Sequence, residues 1–143
     1  MRGALWRLAD HVIANGIEGP GRYRAARDLV LRELPRIEGH PAGEPLVPPG
    51  AAVTDVARDL ALRLDGTVLA IQGPPGTGKT YTGARMILDL VAAGKRVGVT
   101  AQSHRVIANL LEAVQEAAAA EHRYVRIGQR VDAEDDGGNG HGI

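Results

Sequence analysis

Apolar residues recur along this chain with two different periods, and the change of period marks its parts. Leu5, Leu8, Val12 and Ile13 share one helical face, and Tyr23, Ala26, Leu29 and Val30 share another. Residues 4–15 and 21–34 are therefore expected to form two short helices, separated by the breaker Gly19-Pro20-Gly21. Residues 35–50 (PRIEGHPAGEPLVPPG) hold five of the eight prolines with Gly39, Gly43 and Gly50, and read as a linker or a surface-hugging loop. Beyond it, Val56, Leu60 and Leu64 line a helix that Thr54 would cap and Asp65-Gly66 would end.

From there, short continuous apolar runs alternate with helical stripes. Residues 67–72 (TVLAIQ) have the look of a strand covered on both faces of a parallel sheet. Ala84, Ile87, Leu88 and Val91 then fall at i, i+3, i+4 and i+7, with Gly94 placed as a C-terminal cap. Residues 96–100 (RVGVT) are a second strand candidate, and Ser103 to about Ala120 is a second helix with Ile107, Leu110, Leu111 and Val114 inward. Residues 124–127 (YVRI) are a third strand candidate. Strand, loop, helix, strand, helix, strand is a doubly wound α/β plan. The polar, Gly-rich end (DAEDDGGNGHGI) has nothing to bury and is expected to be disordered.

Composition narrows the chemistry. At 143 residues the chain has the size of one compact domain, and 17 basic against 17 acidic residues give no global attraction to nucleic acid. With no cysteine, a disulfide framework and a thiolate metal site are excluded. The five histidines show no HxxxH or HxH spacing, which argues against zinc. The N-terminal stretch is amphipathic and broken by charge, unlike a signal peptide, and no run is long enough to span a bilayer. A soluble, cytoplasmic protein without membrane contact is the expectation. Trp6 and Tyr23 are expected as core anchors of the leading helices rather than as a base-stacking platform.

One stretch carries specific chemistry. Gly73, Pro74, Pro75, Gly76, Thr77, Gly78, Lys79 and Thr80 fill the pattern G-x-x-x-x-G-K-[ST], between an apolar strand candidate and an amphipathic helix. Glycines let backbone N–H groups wrap phosphate oxygens where a Cβ would clash, and the next helix adds its positive end. Lys79 would reach the β- and γ-phosphates of ATP, and the Thr80 hydroxyl would ligate Mg²⁺. Basic residues here are 15 Arg and only 2 Lys, so a lysine at 79 meets a specific need. P-loops also serve AAA+ ATPases and small-molecule kinases, so the loop alone does not select the machine.

The following segment helps. AIQGPPGTGKT followed by GKRVGVTAQSHRVIANLL resembles motifs I and Ia of superfamily 1 helicases, sharply over residues 67–111. The likeness is nearest to the branch of the nonsense-mediated-decay and Okazaki-fragment helicases, and to bacterial proteins that fuse such a helicase to a RecB-like nuclease. It implies a RecA-like fold with ATP hydrolysis coupled to movement along single-stranded DNA or RNA. It also implies a second RecA-like domain as partner. By the same resemblance, Lys79 and Thr80 serve catalysis, while Thr100, Gln102, Ser103 and His104 contact the nucleic-acid backbone. Hydroxyls and N–H groups at a helix start suit phosphate.

Two departures accompany the likeness. The glutamine that reads adenine upstream of motif I has no counterpart, since residues 1–71 contain none. The acidic pair needed for hydrolysis is also missing: Glu134-Asp135-Asp136 follows QRVDA rather than an apolar strand, and reads as solvated tail. The expected organisation is thus a helical leader or end of a preceding domain (1–34) and a linker (35–50). A partial RecA-like P-loop domain with a parallel sheet (51–128) and a disordered tail (129–143) complete it. The chain looks like the front of a helicase domain that stops before the acidic motif. The alternatives are a P-loop module that binds nucleotide without turnover, and an AAA+ ATPase or small-molecule kinase.

Overall fold

The computed structural model describes residues 2–41 and 43–129. Five helices follow in order: α1 (Arg2–Asn15), α2 (Arg24–Leu31), α3 (Val53–Leu62), α4 (Lys79–Ala92) and α5 (His104–Ala120). α4 is the centre. Ala84 and Leu88, four residues apart and therefore on one face, meet Val114, Ala117 and Ala118 of α5 to form the core. The alanines let the two helices approach closely, and Val114 is only 1% exposed. Gly94, at φ 75°, stops α4: its N–H donates to Val91 O and that of Lys95 to Leu90 O, both at 2.9 Å. That pair of bonds is the Schellman stop that the glycine's position predicts.

α3 packs on α4 with Ala57, Leu60 and Ala61 buried. Its start corrects the expected cap. Ala52 holds the N-cap position without a side-chain bond, so Thr54 lies inside the first turn. Its hydroxyl instead meets that of Thr82 on α4 at 2.9 Å. Further along, Arg58 donates to Asp89 through Nε and Nη2 at 2.6 and 3.0 Å, and Arg123 donates to the same carboxylate at 2.7 Å. Glu121 accepts from Arg123 at 3.0 Å, closing a half-buried network across α3, α4 and the end of α5. The Arg58 hydrogen bond outweighs burial and, with Arg123, holds the Asp89 carboxyl down at about 2.

The leader departs from its expected faces. Trp6 is 68% exposed and Ile13 84%, so neither is a core anchor. α1 packs on no other helix among the described residues. In α2 the apolar Leu29 and Val30 face outward, while Arg27 and Asp28 are buried. The reason is polar: Arg27 donates to the carbonyls of Ile17 (2.8 Å) and Gly19, and Asp28 accepts Arg36 through both oxygens. Tyr23 is half-buried, edge-on to the His11 ring at 5.7 Å. The Pro/Gly-rich segment hugs the surface: Ile37 is buried and bridged to Leu64, with Glu38 N–H on Arg63 O at 2.9 Å.

No strand ladder forms among the described residues. Of the three strand candidates, 67–72 lies between α3 and α4, 96–100 between α4 and α5, and 124–127 after α5, and they are not paired with one another. Val97, Gly98, Val99, Val125 and Ile127 all line one cavity of about 460 Å³ beside α4 and α5. Parallel pairing gains little for two short runs without flanking strands. The helices are fixed by local bonds and by one another, and need no ladder to stand.

Candidate functional site

Gly73–Thr80 is a turn feeding straight into α4. Gly76 and Gly78 take φ 81° and 77°, left-handed values that a side chain resists. At Gly73 the constraint is space, since a Cβ there would lie 2.5 Å from Thr77 Oγ1. That hydroxyl is fixed in turn, donating to Pro74 O at 2.8 Å. Gly78 caps α4 without a side-chain bond, and the first closing bond is Thr82 N–H to Gly78 O at 2.9 Å. The N–H groups of α4's first turn before it therefore have no intrahelical acceptor. Lys79 and Thr80 sit exposed at that helix start. The Lys79 ammonium bends back over the loop and donates to Gly73 O (2.5 Å) and Pro74 O (2.7 Å). A cation, free N–H groups and the positive end of α4 thus converge on one exposed turn, a built anion cradle.

Thr100, Gln102, Ser103 and His104 are exposed and consecutive with the start of α5. Ser103 caps that helix, its Oγ accepting from Val106 N–H at 3.3 Å. No hydrogen bond joins this group to the P-loop among the described residues. The structure also brings together what no local motif announces. The Thr54–Thr82 bond ties α3 to the loop's helix, and an apolar groove opens beside Lys79. The acidic cluster Glu134-Asp135-Asp136 lies outside the described residues.

A family model described as an AAA domain matches residues 54–136, more than half of the chain, from the first turn of α3 through the P-loop and α5. The chain belongs to this AAA domain family. It is therefore a P-loop, helicase-like ATP-binding module. No curated protein and no solved structure matches it. Within the AAA domain lie both the cradle and the Thr100–His104 turn, while α1, α2 and the whole Pro/Gly-rich segment precede it. No helix among the described residues is long and apolar enough to cross a membrane.

Proposed function

We propose that the chain is the ATP- and Mg²⁺-binding segment of a superfamily 1 helicase or translocase of the nonsense-mediated-decay and Okazaki-fragment branch. In this reading it works with a second RecA-like domain, alongside a RecB-like nuclease, on single-stranded DNA or RNA. The observation that supports the ATP- and Mg²⁺-binding part of the reading is the cradle itself, and the helicase part rests on the resemblance over residues 67–111. Its residues fit a magnesium-bound triphosphate: left-handed glycines open the turn, Lys79 supplies the charge, and Thr80 offers a hydroxyl one residue into α4. The metal, when held, draws charge off the phosphate oxygens. Lys79 binds and orients the phosphate chain, the first-turn N–H groups of α4 fix its oxygens, and Thr80 would hold the metal. The exposed turn Thr100, Gln102, Ser103 and His104 is proposed to face nucleic-acid phosphates. The segments 67–72, 96–100 and 124–127 are proposed as strands of a parallel sheet completed in the full assembly.

Lys79→Ala tests the site. The variant should bind Mg-ATP more than about tenfold more weakly, a loss of the size that one charge-assisted contact gives. Equal affinity for folded wild type and variant in calorimetry would sink the assignment. Hydrolysis is a separate question, because in-line attack also needs an acidic metal ligand and, in this class, an arginine worth about 10³–10⁵ in rate. The chain alone should therefore turn over far below about 1 s⁻¹ with Mg²⁺ and single strands present. A single-turnover rate near that value, lost in Lys79→Ala, would show that the acidic machinery is already here. A complete enzyme equally silent would favour the module that holds nucleotide without turnover.

A further inference from the structure

A cavity of about 570 Å³ lies in the leader, apart from the P-loop. Its lining runs from Ile17 to Arg36, all of it before the AAA domain at 54–136. The volume is within the range that small-ligand sites use, about 300–1,000 Å³. Six charged side chains line it: Arg24, Arg27 and Arg36 against Glu18, Asp28 and Glu33. Their formal charges cancel, but they are not all paired.

Arg36 and Asp28 hold each other through two hydrogen bonds, at 3.0 and 2.6 Å. Arg24 reaches a carboxylate only loosely, 3.6 Å from Asp65, and both side chains are more than half exposed. Arg27 is different. It is only 5% exposed, yet it forms no ion pair among the described residues. Its Nη1 donates to the carbonyls of Ile17 and Gly19. Its Nε is buried without a partner, and its Nη2 donates to no protein atom among the described residues.

An arginine this deep is normally paired, because a buried cation without a counter-ion is costly. The two carbonyls orient the guanidinium but bring only partial charge to it. One edge of the fork stays open, with Nε–H and Nη2–H side by side. Two parallel donors of that kind match the two oxygens of a carboxylate.

We propose that this cavity binds a small carboxylate, held side-on by Nε and Nη2 of Arg27, with Arg24 at the rim. The charge of the walls favours one negative charge over several. A single carboxylate supplies the counter-ion that Arg27 lacks. Each further charge, as on a phosphate, meets the like charges of Glu18 and Glu33, with only Arg24 left to offset them.

Titrations of the full chain with sodium acetate, inorganic phosphate and sodium chloride at matched ionic strength test this, followed by NMR at the Arg27 Nε–H. Acetate should shift that resonance saturably, with a dissociation constant of about 1–10 mM, the strength of one bidentate charge-assisted contact. Phosphate should bind about threefold or more weakly than acetate, and chloride should give no saturable shift. Arg24→Ala removes an exposed charge without touching the buried fork, and should weaken acetate about threefold. Lys79→Ala should leave the acetate titration unchanged. The absence of a saturable acetate shift would overturn the proposal, the open edge then serving water alone. Phosphate tighter than acetate would overturn the carboxylate assignment. An acetate affinity that ignores Arg24→Ala would place the anion outside this cavity and overturn it as well. A shift that disappears in Lys79→Ala would belong to the P-loop, and would remove this proposal while leaving the phosphate site standing.

Discussion

The stretch before residue 50 and the stretch after it use amphipathic helices in opposite ways. In α3, α4 and α5 the apolar stripe faces inward: Leu60, Leu88 and Val114 are buried. In α1 and α2 much of it faces water, with Leu5, Ile13, Leu29 and Val30 exposed, and what is fully buried is Arg27 and Asp28. The periodicity is equally clear in both places. What differs is company. α4 has a helix on each side, whereas α1 has none among the described residues. An apolar face states what a helix needs to cover, and only a second element decides whether it is covered.

That contrast can be broken most easily at Leu88. Leu88→Ala should cost about 2–5 kcal/mol in denaturant unfolding, the range for cavities in packed cores. A loss no larger than that of an exposed residue would mean the α4–α5 contact is not the core. In the leader the equivalent change is polar. Arg27→Met keeps the stem but strands the carbonyls of Ile17 and Gly19, and should cost about 1–3 kcal/mol. If it is neutral, the buried arginine anchors nothing.

The ion network at Asp89 should show itself in acid. Its folded carboxyl titrates at about 2 against an ordinary 3.8, so its stabilisation is complete above about 4 and disappears as pH falls toward 2. The loss should be on the order of 1 kcal/mol, since solvent screens a partly exposed pair. Asp89→Asn should flatten that part of a melting-temperature profile between pH 4 and 2, and an unchanged slope would place the acid sensitivity elsewhere. The smallest effect is expected at Ile13. Ile13→Ser should shift stability by less than about 0.5 kcal/mol. A penalty rivalling Leu88→Ala would show that the α1 face is covered in solution, and the contrast between the two regions would disappear.

How much of this was legible follows from range. The P-loop, its left-handed glycines, α4 and the Gly94 stop were readable because each depends on residues within a few positions. α5 and its cap at Ser103 were readable for the same reason. The inward turn of Arg27 was not, since the carbonyls that hold it lie in the loop at 17–19 and a stripe count ignores them. Nor was the Asp89 network, whose partners stand 31 and 34 residues away in sequence. Thr54 has the chemistry of a cap, but the cap position of α3 falls two residues earlier, at Ala52, a shift that local sequence does not resolve. The strand candidates depend on non-local pairing, and an apolar run signals only the wish for it.

The posture of Lys79 has one more consequence. With two of its ammonium's three N–H groups already donated to Gly73 O and Pro74 O, Lys79 does not present a bare charge to solution. An incoming anion enters by exchange, displacing two dipoles before it gains the lysine. Chloride, with a single centre, gives back little more than the loop surrenders. A ligand that delivers several oxygens at once gains the lysine and the helix-start N–H groups together, and the exchange then runs in its favour. The turn acts as a threshold, ignoring the abundant small anions around it and yielding to those with many teeth.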